Sequence, residues 1–404
     1  MHPEIALEAT GNAMPDVKPA LQLSELSPAI IQSEIRAMSV ECDRVGGINL
    51  AQGICDTRLP DAAAAGAIAA IEDGHNIYTR LDGIAPLREA IAVKMAQHNY
   101  LAVDPHSELL VTNGATGALH AACLALLNPG DEVLLFEPFY GYHVSTLLSQ
   151  RLVPVIVPLD DADWTIDFDR LRDAMTSRTR AILLNSPANP SGKVFTRGEL
   201  ARIAELATEH DLFVFSDEIY EHFLFDGREH VSPATLPGMA ERCITISGLS
   251  KTFSITGWRI GYLAAAARWL PAIGYFHDLT YVCSPAPLQY GAAAALRALE
   301  STSFYTDLRG EYERKRDLLC AALTCAELVP FVPQGAYYIL ADATRLQGAT
   351  ASEKARTLLR QCGIATVPGS AFYRAGGGSN LLRFCFGKKD PDLHRACEAL
   401  EQLA

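Results

Sequence analysis

"SGLSKTFSITGWRIGY", residues 247–262, sets one lysine, Lys251, among serines, threonines and glycines, with Arg259 further on. It follows the apolar run "CITI" and reads as the end of a buried strand passing into a loop. Upstream the same pattern recurs. "ELLV" leads into "TNGATGALHAACLALL", "EVLLF" into "EPFYGYH", "RAILL" into "NSPANPSG" and "DLFVF" into "SDEIY". Continuous apolar runs alternating with helical patterns predict an α/β fold, a mostly parallel sheet between two layers of helices. In such sheets ligands gather beyond the carboxyl ends of the strands. Lys251 is therefore expected where the other strand ends deliver their polar residues.

Outward from this core the pattern changes. Beyond about residue 300, "EYERKRDLLCAAL" and "ASEKARTLLRQCG" read as helices, and "QGAYYILAD" and "NLLRFCFG" as strands, which predicts a smaller α+β domain. A chain of 404 residues is long for one core and is expected to form two lobes. We expect a loose arm at 1–22, a first part of the small domain at 23–60, the large domain at 61–300 and the rest of the small domain at 301–404. "SPAIIQSEIRAM" predicts a helix with Ser27 as N-cap, Pro28 in the first turn, and Ile31, Ile35 and Met38 on one face.

The net charge of −13, with no basic block to offset it, argues against a nucleic-acid partner. The ten cysteines include no C-x-x-C pair, so no metal site is expected and free thiols in a reducing compartment are the simpler reading. The first residues hold Glu4 and Glu8 and no apolar h-region, and no apolar run is long enough to span a membrane. A cytoplasmic protein is expected.

A lysine amine with a free pKa of about 10.4 is a poor nucleophile near neutrality, and enzymes use it by condensing it with a carbonyl. A phosphorylated aldehyde cofactor would need phosphate donors, a carboxylate for a ring nitrogen, a donor for a ring oxygen and an aromatic face. The strand ends offer each. "TNGATGAL" supplies backbone N–H groups at a helix start with the Thr116 hydroxyl, or is simply a tight turn. Tyr140 in "FEPFYGY" stacks on a flat ring or packs with its neighbours. Asn189 in "LNSPANPSG" donates to a ring oxygen or bonds its own turn. Asp217 in "FVFSDEIY" pairs with a pyridinium nitrogen or caps a helix. Arg259 suits a phosphate, and Arg383 in "LLRFCFG" suits a substrate carboxylate or a structural ion pair.

Together these motifs resemble the class I and II aminotransferases, the fold-type-I enzymes that use pyridoxal 5'-phosphate, and the resemblance runs from "INLAQGICD" to "LLRFCFG". It implies that Lys251 is the Schiff-base lysine, Asp217 the ring-nitrogen partner, Tyr220 and Asn189 the ring-oxygen donors, and Tyr140 the stacking aromatic. It further implies Ala115, Thr116, Ser250 and Arg259 around the phosphate. Arg383, Asn189 and the Gly53 backbone are implied at the substrate α-carboxylate. Tyr78 in "NIYTRLDG" is similar to the tyrosine that reaches a neighbouring subunit's phosphate, which implies a homodimer with shared active sites. The implied reaction moves an amino group between an L-amino acid and a 2-oxo acid in two half-reactions. Another reaction on the same scaffold (β-elimination, decarboxylation or oxidation) is the nearest alternative, and a non-enzymatic pyridoxal-phosphate-sensing regulator the remote one. Gly248 stands where many relatives carry serine, Cys55 where proline is common, Thr57–Arg58 where aromatic and proline residues often sit, and Thr116 where some relatives place a lysine.

Overall fold

Parallel strands buried on both faces need helical crossovers, and the chain supplies them in alternation. The structure is a computed structural model that describes residues 21–30, 34–160, 163–374 and 376–403. It begins with α1 (Glu34–Val45), β1 (Ile48–Asn49), α2 (Asp61–Glu72) and α3 (Ala85–His98). The core then follows as β2 (Leu109–Asn113), α4 (Gly114–Leu126), β3 (Glu132–Glu137), α5 (Gly141–Ser149), β4 (Val153–Pro158), α6 (Phe168–Asp173), β5 (Thr179–Asn185), α7 (Arg197–Glu209), β6 (Phe213–Asp217), β7 (Cys243–Gly248) and β8 (Ile260–Ala264). Next come α8 (Leu270–Tyr281), α9 (Ala286–Leu299), α10 (Phe304–Cys325), β9 (Val329–Phe331), β10 (Tyr338–Asp342) and α11 (Ala351–Cys362). The chain closes with β11 (Ile364–Ala365), β12 (Val367–Pro368), β13 (Leu381–Cys385) and α12 (Asp390–Glu401).

Seven strands form the large sheet in the order β2-β8-β7-β6-β5-β3-β4. Only β8 runs antiparallel to its neighbours, β2 and β7. Side chains alternate between the faces, so each strand feeds two cores. On one face Val133, Leu135, Leu183, Phe215 and Ile246 pack with Ala118 and Ala122 of α4 and Ile273 of α8. On the other, Leu134, Ile182, Leu184 and Val214 pack with Leu200, Ile203 and Ala207 of α7. A capping box at Thr196 and Glu199 starts α7 by satisfying its first N–H groups. This is the expected three-layer α/β arrangement.

The second sheet has four strands in the order β12-β13-β10-β9 and packs with α10, α11 and α12. β1 pairs in parallel with β11, so residues 48–49 reach the C-terminal part of the chain. Most of the expected N-terminal arm, residues 1–20, lies outside the described residues, as does Ile31. Ser27 does not cap a helix through its side chain. Residues Ser27–Ala29 form a 3-10 turn whose N-cap position is Leu26, and Pro28 lies in that turn's start.

Beneath the loop after β6 lies a closed polar network. Lys94 of α3 donates to Asn99 Oδ1 at 2.9 Å and Tyr262 Oη at 3.0 Å and pairs with Glu221. Glu221 also accepts from the Ser247 hydroxyl at 2.8 Å, and Glu218 accepts from Ser216 and Ser232 and contacts His230 Nε2 at 2.7 Å. Burial disfavours the Glu221 charge, but Lys94, with His222 and His230, overrides it and holds the carboxyl well below the usual range. The network ties α3 to β7, β8 and the residues just past Asp217. Glu221→Gln would leave the Lys94 ammonium buried without a counter-charge. A loss of about 3–5 kcal/mol in unfolding free energy is expected, read as a lower denaturant midpoint. A midpoint like that of the wild type would show that the pair adds nothing to the fold.

Candidate active site

The site is built where strand ends converge, and β8 explains one of its members. An antiparallel strand starts on the edge where its parallel neighbours finish. Asn113 at the end of β2 therefore pairs with Ile260, and Gly248 at the end of β7 with Gly261. Arg259, immediately before β8, is delivered to the carboxyl edge. There its guanidinium lies against Gly114, where an added Cβ would stand 2.5 Å from Nη2. Gly114 also has φ +72°, so both backbone and space demand glycine.

A cavity of about 510 Å³ opens at this edge, within the usual size for a small-ligand site. Ala115, Thr116, Tyr140, Asn189, Asp217, Tyr220, Ser250, Lys251, Arg259, Gly53 and Arg383, all expected from sequence, line it. Tyr78 does not. The residue is 78% exposed, beside the exposed Ile77, and it takes no part in the cavity of its own chain.

Lys251 Nζ donates to the Gly53 carbonyl at 3.0 Å, which also accepts from Tyr337 Oη at 3.3 Å. Burial pushes the Lys251 amine below its ordinary pKa; Cys55 and Cys385 oppose the shift, and Arg259 and Arg383 add to it. Asp217 ends β6 and is buried. Its Oδ2 meets His143 Nε2 at 2.8 Å and its Oδ1 accepts from the Ile219 N–H at 3.2 Å. No helix follows Asp217, so the helix-cap alternative falls away. Tyr220 Oη lies 3.0 Å from Tyr338 Oη, and burial, with Tyr338 adding to it, raises its pKa and keeps the phenol protonated. Burial does the same for Tyr140, whose ring stacks with Tyr142 at 5.3 Å and meets His143 edge-on.

Arg383 lies on β13, opposite Leu340 of β10 and Val367 of β12. It is 1% exposed, with Nη1 on Asn189 Oδ1 at 2.8 Å and Nη2 on the Ala51 carbonyl at 2.6 Å. Its Nε has no partner among the described residues. No carboxylate pairs with Arg383 there, so the structural ion-pair alternative fails among the described residues. A buried guanidinium held only by neutral oxygens is suited to a carboxylate.

These residues fit pyridoxal phosphate. The start of α4 has no side-chain cap at Asn113, which leaves the first N–H groups of a 13-residue helix beside Arg259. Arg259 bonds only the Thr256 carbonyl, at 3.2 Å, and forms no ion pair among the described residues. An anion there meets a guanidinium and helix N–H groups. A planar ring bound there would have the Tyr140 ring, the Asp217 carboxylate and the Lys251 amine in the lining of one cavity. Sequence reasoning missed two contributors. His143 lay inside the quoted "EPFYGYH" without a role, and Tyr338, one residue past "QGAY", lines the cavity and closes on Gly53. An added Cβ at Gly53 would overlap its hydroxyl.

The family model described as aminotransferase class I and II matches residues 45–400. A probable N-succinyldiaminopimelate aminotransferase of Mycobacterium tuberculosis is 38% identical over 91% of this chain and 95% of its own. The solved structure of the M. tuberculosis N-succinyldiaminopimelate aminotransferase superposes with a TM-score of 0.90, covering 95% of this chain and 100% of that one at 38% identity. An aspartate aminotransferase of Pyrococcus abyssi is 34% identical over 95% of this chain and 98% of its own.

Proposed function

The chain belongs to the class I and II aminotransferase family, whose enzymes depend on pyridoxal phosphate, and from that premise we propose that the cavity around Lys251, Asp217 and Arg383 is its aminotransfer site. The enzyme moves an amino group from an L-amino acid to a 2-oxo acid. The observation that carries the assignment of the site is the placement around a single cavity of one partly buried amine, one buried carboxylate and one buried guanidinium that pairs with no carboxylate among the described residues.

Arg383 and Asn189 bind the substrate α-carboxylate, and the free Arg383 Nε supplies a further donor. This orients Cα beside Lys251 Nζ. Pyridoxal phosphate supplies, when bound, an electron sink for the pair left at Cα when its proton departs. Lys251 Nζ takes that proton and holds it for return, as base and then acid. Its lowered pKa favours the neutral amine that the first step needs. Asp217, oriented by His143, would keep a positive charge on the ring nitrogen; Tyr220, Asn189 and Tyr140 would position the ring, and Ala115, Thr116, Ser250 and Arg259 would hold the phosphate.

The relatives differ in the substrates their names carry, N-succinyldiaminopimelate in one and aspartate in another, so membership alone does not choose the amino donor. The division into a large domain at 61–300 and a small one from 23–60 and 301–404 is supported by the two sheets and by the pairing of β1 with β11. A homodimer is supported by the exposure of Ile77 and Tyr78 and by the similarity of Tyr78 to the tyrosine that reaches a neighbouring subunit's phosphate. A cytoplasmic location is supported by ten free cysteines, and no described helix is long and apolar enough to cross a membrane.

A panel of L-amino acids, each with and without a 2-oxo acid acceptor, tests the reading. Sustained 2-oxo acid formation is expected only when the acceptor is present. Turnover without acceptor, with release of ammonia or carbon dioxide or uptake of oxygen, would assign a lyase, decarboxylase or oxidase instead.

A further inference from the structure

Within the aminotransfer reading on which this inference rests, we propose that Arg36 of α1 binds a distal carboxylate of the amino-acid substrate and so selects acidic substrates. Three guanidinium groups, on Arg36, Arg259 and Arg383, and the Lys251 amine line the cavity, against one carboxylate, Asp217. Lys251, Arg259 and Arg383 have partners and roles already described. Arg36 has neither: it is exposed at the cavity and makes no ion pair or hydrogen bond among the described residues. The other charges on its helix do not occupy it. Glu41 pairs with Arg356 at 3.3 Å, and Glu34 leaves a buried Oε2 without a partner.

The placement gives this cation a direction. Arg383 holds the Ala51 carbonyl and Lys251 holds the Gly53 carbonyl, so the chain between them spans the α-carboxylate end and the reacting centre. Gln52, between those two, also lines the cavity, together with Ile35, Arg36 and Ser39 from one face of α1. A substrate with its α-carboxylate on Arg383 and its Cα at Lys251 can extend its side chain along this wall. Ile35 and Ile54 would meet methylene groups, and the guanidinium would meet what lies beyond them. The protein as a whole carries a net charge of −13, so a local excess of positive groups in one cleft is a focused field and not a general property of the surface. A guanidinium–carboxylate contact formed as the cleft fills is a charge-assisted, two-donor interaction.

The experiment compares wild type, Arg36→Gln and Arg36→Lys as holoenzymes. Single-turnover conversion of L-glutamate and L-2-aminoadipate is measured beside the uncharged L-glutamine and L-norleucine. Binding of the unreactive dicarboxylate glutarate is measured beside valerate. Arg36→Gln is expected to lower the second-order single-turnover rate constant for the dicarboxylic substrates and glutarate affinity by about 10- to 100-fold, with the uncharged substrates and valerate changed less than about twofold. Arg36→Lys is expected to recover part of the loss, because it restores charge without the planar fork. Equal losses for charged and uncharged ligands, or no loss for either, would overturn the proposal, as would a wild type that binds glutarate no better than valerate. A wild type that converts no amino acid would reject the aminotransfer reading alone. Glutarate binding to the three proteins would still decide Arg36.

Discussion

Lys251→Ala protein is expected to lose transamination by at least about 10⁴-fold, the upper range for removal of a positioned acid–base group, because the same nitrogen also holds the cofactor. The size of the effect follows from how the amine is prepared. An ordinary lysine with a pKa of about 10.4 is roughly 0.1% neutral near pH 7.5. Each unit by which burial lowers that value raises the neutral fraction about tenfold. Lys251 is lowered chiefly by desolvation, with Arg259 and Arg383 adding to it, and its hydrogen bond to the Gly53 carbonyl aims it into the cavity. The free base is thus favoured at progressively lower pH, and the rate of the first half-reaction should rise with pH and level off below the free-lysine value. Alanine leaves no amine to titrate, so both the rate and that rising limb disappear. Borohydride treatment of the loaded wild type should fix the cofactor to the peptide containing Lys251 and should label nothing there in the variant. A variant within tenfold of wild type, or label on another lysine, would remove Lys251 from the chemistry.

The large sheet and the strand-end site were legible because a parallel strand buried on both faces leaves a continuous apolar run. The polar residues just beyond it then mark the edge where ligands bind. Asp217 after "DLFVFS" and Lys251 after "CITISG" are such cases, and each lies at the cavity. What stayed hidden arrives from other elements. His143 reaches Asp217 from α5 across 74 positions of sequence, and no local pattern separates it from a packing histidine. Tyr338 of β10 meets Tyr220, in the loop after β6, across 118 positions of sequence. Arg36 reads as an ordinary exposed residue of an amphipathic helix. Its value depends on α1 lying along one wall of the cavity, which periodicity does not encode. The antiparallel entry of β8 was likewise not legible, although the arginine it delivers was.

Asp217→Asn is expected to lower kcat by on the order of 10³-fold while the fold persists. An opposite charge in contact shifts a titratable partner by roughly 1–3 units. Losing 3 units from the ring nitrogen would cost about 4 kcal/mol if the charge is fully expressed in the transition state. Asparagine keeps the volume of aspartate and can still accept from the Ile219 N–H and face His143, so the local hydrogen bonds at 3.2 and 2.8 Å can be rebuilt with only a change of tautomer. What it cannot supply is the negative charge. A purely structural role for Asp217, as anchor of His143 and of the turn after β6, predicts near-wild-type kcat and an unchanged cofactor spectrum. An electrostatic role predicts a collapsed kcat, a spectrum displaced in the bound state, and partial recovery when the cofactor is replaced by an analogue whose ring nitrogen carries a permanent positive charge. The analogue separates the two cases because it restores the charge that Asp217 maintains without restoring any bond to His143. Activity of the asparagine variant within tenfold of wild type with the natural cofactor, or no gain with the charged analogue, would show that the carboxylate positions its neighbours and does not hold charge on the ring.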